Sequence, residues 1–359
     1  MTAKAPDGLC PAAVDTAGAG SAADASSPVL ARLRVPVIAA PMFLVSGPEL
    51  VLAAHRAGIV GAFPAPNARE LVDLDRWCAT ISAGVAADAA GGIPGSGAWA
   101  VNLFAHRTYQ RLDAEVDILG RYRPDLVITS LGAPNRVLDA IHGYGGEVFA
   151  DVATLAQAKR AVAAGVDGLV LVCAGGGGHT GSFSPLAFVP AVRDFYDGPV
   201  LVAGGIGDGG AVAAVEALGA AGGYIGTRFV AAAESLAGDD YRGMLLAAEM
   251  ADVVTSRAVT GVSANWLRPS LERAGYDVDG VGPADFSGDL QGAKAWKDLW
   301  SAGHGVGSVR SVGTVQAIVD ELAADRAAAL QRLAGRPRAD TNTQVRVART
   351  RSGPEKGES

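Results

Sequence analysis

At 359 residues the chain is long enough for one large barrel or two domains and can bury a sizeable core. A net charge of −7 disfavours nucleic acid or an anionic membrane surface as the main partner, because both call for a basic face. Hydrophobic residues make up 49% of the chain but aromatics only 6%, so the core rests on Ala, Val, Leu and Ile, and the 48 glycines imply many tight turns, as in a parallel α/β protein.

Residues 1–30, rich in Ala, Gly, Ser and Asp without a continuous apolar core, read as a disordered extension and not as a signal peptide. Eight short apolar runs follow: Val35 to Pro41, Ile59 to Ala65, Trp99 to Phe104, Leu126 to Gly132, Glu147 to Val152, Gly168 to Ala174, Pro199 to Gly205 and Gly222 to Phe229. Alanine-rich helical stretches separate them, for instance Thr154 to Ala164 and Gly210 to Leu218, each ending near a glycine. Strands separated by helices pair in parallel, and eight such units predict an α/β fold of the (β/α)8 TIM-barrel type over residues 31–230. An open doubly wound sheet is the alternative; the first strand leads into MFLVSGPEL and not into a GxGxxG turn, which weakens it and removes the main dinucleotide signature.

Beyond the eighth strand, residues 231–313 carry Trp266, Trp296 and Trp300 among polar and glycine-rich segments and are expected to form a helical insertion over the barrel mouth. Residues 314–335 read as the closing barrel helix, and residues 336–359 as a polar tail. No apolar run reaches the about 18 residues that a membrane span needs. Cys10, Cys78 and Cys173 are too few and too scattered for a disulfide framework or a zinc site, so a reduced cytoplasm is the expected setting and no metal is expected.

The stretch LVLVCAGGGGHTG, Leu169 to Gly181, carries the strongest chemical signal. Four consecutive glycines let a ligand approach the backbone, and His179 follows them directly after an apolar strand. A planar cofactor could lie there facing the imidazole; a flexible turn with an incidental histidine is the plain alternative. Barrel enzymes place their sites at the C-terminal strand ends, where this chain presents Pro41 and Met42, Asn102, Ser130, Asp151, His179, Gly204 with Gly205, and Gly226 with Thr227. Glycine-bearing ends on the seventh and eighth strands predict a phosphate clamp. With an apolar Met42 beside it, such a barrel suits flavin mononucleotide (FMN). Asp151 either orients the flavin or a neighbour, or satisfies a backbone amide. His55 and His142 read as surface or packing residues, and so does His106, for which a place lining the mouth is the lesser alternative.

The segments AAPMFLVSGPELV, WAVNLF, VITSLG, VAGGIGDGG, YIGTRF, GVSANWLRPSL and WSAGHGVG, with the glycine-histidine run, resemble the nitronate monooxygenase family. That resemblance implies FMN-dependent oxidation of alkyl nitronates by O2 to a carbonyl compound and nitrite. It makes His179 the catalytic base and puts FMN contacts on Pro41, Met42, Phe43, Asn102, Gly178, Gly204, Gly205, Gly226 and Thr227. Flavin-dependent enoyl-acyl-carrier-protein reductases share much of the pattern, so an NAD(P)H-dependent enoyl-thioester reductase stays open, as does a non-redox phosphate-binding barrel. His304 stands where relatives commonly carry glutamine, which bears on the substrate. A small nitro compound or nitronate and O2 are the implied partners, and homo-oligomerisation stays open.

Overall fold

The computed structural model describes residues 27–93, 97–282 and 298–335. Eight parallel strands close into a barrel: β1 (Val37–Ala39), β2 (Val60–Pro64), β3 (Ala98–Phe104), β4 (Leu126–Ser130), β5 (Glu147–Val152), β6 (Gly168–Val172), β8 (Val200–Ala203) and β9 (Gly222–Ile225). The first pairs with the last through Val37↔Gly223 and Ile38↔Tyr224, so no edge is left open and the doubly wound alternative is excluded. A two-residue strand, β7 (Gly178–His179), lies between β6 and β8 in the chain but outside the barrel. Each of the eight barrel strands falls within or beside one of the eight apolar runs.

Alternation explains why those runs are apolar throughout. Along β3, Ala98 and Ala100 face the barrel interior while Trp99, Val101 and Leu103 pack outward against the helices, so both faces are buried. The interior mixes small and large side chains: Ala40, Ala62, Ala98, Ala100 and Ala203 share it with Ile38, Ile128, Leu201 and the bulky Phe149. A Cβ at Gly168 would lie 2.5 Å from the Phe149 ring, so the missing side chain makes room for the large one. Helices α2 (Pro48–Arg56), α3 (Leu71–Ala90), α4 (Leu112–Tyr122), α5 (Leu138–His142), α6 (Leu155–Ala164), α7 (Pro185–Arg193) and α8 (Gly209–Ala217) fill the connections. The closing helix, Val315–Ala334, packs on α8 and α2, with Arg326 forking onto both carboxylate oxygens of Glu216 at 2.6 Å.

Two boundaries differ from the sequence expectation. Residues 27–30, assigned to the extension, belong to the barrel: helix α1 (Pro28–Ala31) sets Val29 among Ile38, Val60, Leu126 and Phe149 at the N-terminal end of the barrel. Ser27 Oγ and the Val29 N–H both donate to the Glu147 carboxylate and hold this plug. Residues 1–26 and the polar tail at 336–359 lie outside the described residues, as does Trp296.

The insertion leaves and re-enters the barrel at one point, because the Ala233 N–H donates to Gly313 O and the Gly313 N–H to Ala231 O. Helices α9 (Thr227–Val230), α10 (Asp239–Ala247) and α11 (Arg268–Arg273) lead into and through it, and it also holds an antiparallel pair, β10 (Val253–Ser256) and β11 (Ala264–Leu267), which the sequence did not suggest. Strand β7 joins this pair as its third strand.

Candidate active site

The loop after β1 is held by an amide that sequence reading passed over. Asn67, 9% exposed, accepts the Leu44 N–H at 2.8 Å and donates to Met42 O at 3.0 Å and Ser46 O at 2.8 Å. Ser46 Oγ in turn accepts the Met42 N–H, and Leu44 sits at a φ of 59°, which the two side chains stabilise locally. Met42 therefore has a fixed place beside Gly226, where a Cβ would lie 3.5 Å from its sulfur. Pro41 is partly buried on the same loop. Phe43 lines a cleft of about 470 Å³ with Leu236, Tyr241 and Trp300.

Three strand ends supply polar groups. Asn102 Nδ2 donates to Ile128 O at 3.1 Å and lies 3.2 Å from Ser130 Oγ, so these two candidates form one pair across β3 and β4. Asp151 ends β5 two residues after Phe149 and so shares its inward face. Its Oδ1 is shielded from solvent and has no hydrogen-bond partner; neither does the hydroxyl of Tyr224, an inward residue of β9 that the sequence reading did not single out. Burial alone pushes the Asp151 carboxyl up to about 7.

The glycine loop is built by close backbone approach. The His304 N–H donates to Gly175 O at 2.9 Å, and the Gly205 N–H to the same oxygen at 3.2 Å. A Cβ at Gly177 would lie 2.9 Å from the Gly303 nitrogen, so the WSAGHGVG segment can seat only on glycine. His304 is exposed and its ring borders Gly175, next to the loops after the seventh and eighth barrel strands. Gly204 and Gly205 have φ of 119° and 73°, and the space beside Gly205 where a Cβ would stand is open. Two helices start here. Asp208 caps α8 by accepting the Ala211 N–H, which puts a carboxylate at that N-terminus and disfavours a second anion there. The short helix α9, opening at Thr227 after Gly226, has no side-chain cap. The Thr227 hydroxyl accepts the Gly303 N–H at 2.9 Å, tying it to the insertion.

His179 is pinned by the insertion. It pairs with Ala264 and Gly178 with Asn265, while the buried Asn265 donates to Gly176 O at 2.7 Å and accepts from Thr255 Oγ1 at 2.6 Å. His179 is exposed at its surface, while neighbouring protein displaces part of the water around the ring. Desolvation holds its pKa below the ordinary histidine value, so the ring is neutral at pH 7. Of the other histidines, His55 is buried in α2, His142 ends α5 and pairs with Asp167 at 2.8 Å, and His106 bonds Thr108 just beyond β3. Among the described residues no group of three or more His, Cys, Asp or Glu could hold a metal ion.

A single family model matches residues 82–325, more than half of the chain, and its description is nitronate monooxygenase. The chain belongs to the nitronate monooxygenase family. Within and around that family, a nitronate monooxygenase from Paraburkholderia phytofirmans is 32% identical over 174 residues, covering 46% of this chain and 48% of that protein. The (3aS,4S,5R,7aS)-5-hydroxy-7a-methyl-1-oxo-octahydro-1H-indene-4-carboxyl-CoA dehydrogenase of Rhodococcus jostii is 31% identical over 180 residues, 50% of this chain and 48% of its own. The chain thus spans about half the length of these curated relatives. Nitroalkane oxidase from Streptomyces ansochromogenes superposes with a TM-score of 0.71 at 24% identity, over 85% of this chain and 99% of that one, which establishes a shared fold.

A flavin is the cofactor that nitronate monooxygenase membership implies, and the residues present fit one. Glycines without Cβ line the ends of the seventh and eighth barrel strands, and two shielded polar atoms, Asp151 Oδ1 and Tyr224 Oη, await a partner inside the mouth.

Proposed function

We propose that this protein is an FMN-dependent oxidase of alkyl nitronates, yielding a carbonyl compound and nitrite and consuming O2. The observation that carries the reading is the placement of His179, whose backbone pairs with Ala264 and which follows a glycine loop whose Gly175 O accepts the N–H of Gly205, at the glycine-bearing end of the seventh barrel strand. Gly204, Gly205, Gly226 and Thr227 would hold the phosphate, with the uncapped start of α9 favouring its charge. Met42 offers an apolar wall, and Asn102, Ser130, Asp151 and Gly178 are the further cofactor-side residues.

When bound, FMN supplies the electron acceptor for substrate oxidation and the site of oxygen reduction. The chain's own part is proton transfer and placement. His179, neutral at pH 7, accepts the α-proton of a nitroalkane; with a preformed nitronate that proton is already gone and the ring only positions the anion. The strand pair β10–β11 holds the backbone of His179 through its pairing with Ala264.

A CoA-thioester substrate is the second reading, favoured by the similarity to the Rhodococcus dehydrogenase. The test is anaerobic mixing of FMN-loaded protein with ethyl nitronate, with NADH and NADPH, and with a CoA thioester, then nitrite assay in air. Flavin bleaching by the nitronate with nitrite formed supports the proposal. Bleaching only by a nicotinamide or a thioester overturns it in favour of thioester chemistry, and a protein that takes up no flavin leaves a non-redox barrel.

A further inference from the structure

We propose that Asp151 and Tyr224 form a proton-donating contact inside the barrel mouth that recognises a carbonyl-type hydrogen-bond acceptor on the bound heteroaromatic ring. The inference rests on the flavin reading above and deepens it. Both residues face inward, from β5 and β9, among inward side chains that include Ala40, Ala62, Ala100, Val170 and Ala203, none of which can hydrogen-bond to them. Their shielded oxygens lack partners in a fold that satisfies its other inward polar pair, Asn102 and Ser130, internally. Buried polar groups in folded proteins are nearly always paired, so the missing partner belongs to what fills the mouth.

The sign of the contact follows from the surroundings. Burial first, and the charge of Asp151 second, raise the Tyr224 phenol well above its ordinary value, so it remains a hydroxyl donor. Asn102 and Ser130 on the neighbouring strands are uncharged, and Val170 on β6 is apolar. Burial lowers the pKa of His179. Among the described residues no cation lowers the Asp151 carboxyl, and desolvation brings its ionisation to about 7. The neutral acid is therefore well populated at neutral pH, and a neutral acid donates where a carboxylate could only accept.

A donor that must keep its proton couples that proton to ligand binding. The dissociation constant of FMN, read by quenching of flavin fluorescence from pH 6 to 9, is expected to rise for the wild-type protein above pH 7, approaching about tenfold per unit. Asp151→Asn keeps an N–H donor at every pH, so its affinity should stay close to the wild-type value at pH 6 and exceed it increasingly above pH 7. Tyr224→Phe should weaken binding by a constant factor without changing the slope. The ionisation of the FMN phosphate is common to all three proteins, so the ratio of their constants carries the answer. A ratio of wild-type to Asp151→Asn constants that does not vary with pH overturns the proposal while leaving the flavin reading intact. Absence of FMN binding in the wild-type protein overturns both.

Discussion

At the scale of single residues, His179 has what a base for carbon acids needs: a fixed backbone and a pKa lowered by burial. His179→Ala should bind FMN with nearly unchanged affinity but lose turnover of neutral nitroalkanes by about 10²–10⁴-fold, the usual contribution of a general base. Preformed nitronates should be affected far less, since their proton is already removed. Because the folded pKa lies below the ordinary imidazole value, the base is protonated only at acidic pH. The acid limb of kcat/KM for nitroalkanes should accordingly fall below the usual histidine range. Steady-state kinetics with both substrate forms checks this; an equal loss for the two would mean that the ring serves by holding the anion. The residue was visible in the sequence because a histidine directly after four glycines is unusual chemistry at a strand end. Asn67 was not visible, for its three bonds reach back to residues 42–46, more than twenty positions away, and nothing in APNARE announces them.

At the scale of elements, the eight barrel strands were legible because each is buried on both faces and so reads as an apolar run. Strand β7 was not, since a two-residue strand has no periodicity and its partner, β11, lies some eighty-five residues further on. Asn265 joins these elements, so it acts on His179 through the glycine loop as a positioning residue. Asn265→Ala removes a bond between buried polar groups and leaves Gly176 O and Thr255 Oγ1 to find others, at a cost of about 1–3 kcal/mol. We expect kcat for nitroalkanes to fall about tenfold or more while FMN affinity changes little, and the pH profile of the residual activity to shift toward the ordinary imidazole value, as a loosened loop lets more water reach His179. Asn265→Asp, which keeps the acceptor for Thr255 but not the donor for Gly176, should not rescue it, and an unaltered profile in both variants would deny the positioning role. Gly205 offers a separate test of the phosphate clamp. Gly205→Ala places a methyl in open space at a φ of 73°, so the fold should persist with a strain of about 1–2 kcal/mol. FMN should then bind at least tenfold more weakly while riboflavin, lacking the phosphate, is little affected. Equal weakening of both would place the phosphate elsewhere.

At the scale of the whole molecule, the barrel has a chemical end and a stabilising end, as parallel barrels do. Glycine loops, His179 and the insertion crowd the first, whereas the second is closed by Ser27, α1 and Glu147. That closure escaped sequence reading because it rests on a short segment directly after Ala- and Ser-rich chain, and its partner is more than a hundred residues away. Val29 is buried at 4% exposure among the inward side chains, a placement worth about 1.5–3 kcal/mol, and two donors satisfy a Glu147 carboxyl whose pKa burial has raised. Deleting residues 1–31 should therefore lower Tm by roughly 5 °C or more relative to deleting residues 1–26, a comparison that isolates the plug. FMN affinity should be the same in both, because the plug lies at the end of the barrel away from the glycine loops. The pH dependence provides a second check. A carboxyl with a raised folded pKa binds its proton more tightly in the folded state, so its contribution to stability is present at low pH and is lost as pH rises through that folded value. Glu147→Gln cannot ionise and should flatten this fall, gaining on the wild-type protein as pH rises from the ordinary carboxyl value through the folded pKa of Glu147, and not at lower pH. Thermal denaturation from pH 4 to 8 reads both effects; parallel curves for Glu147→Gln and wild type, together with equal Tm for the two deletions, would leave α1 as a passive neighbour of the barrel and not its plug.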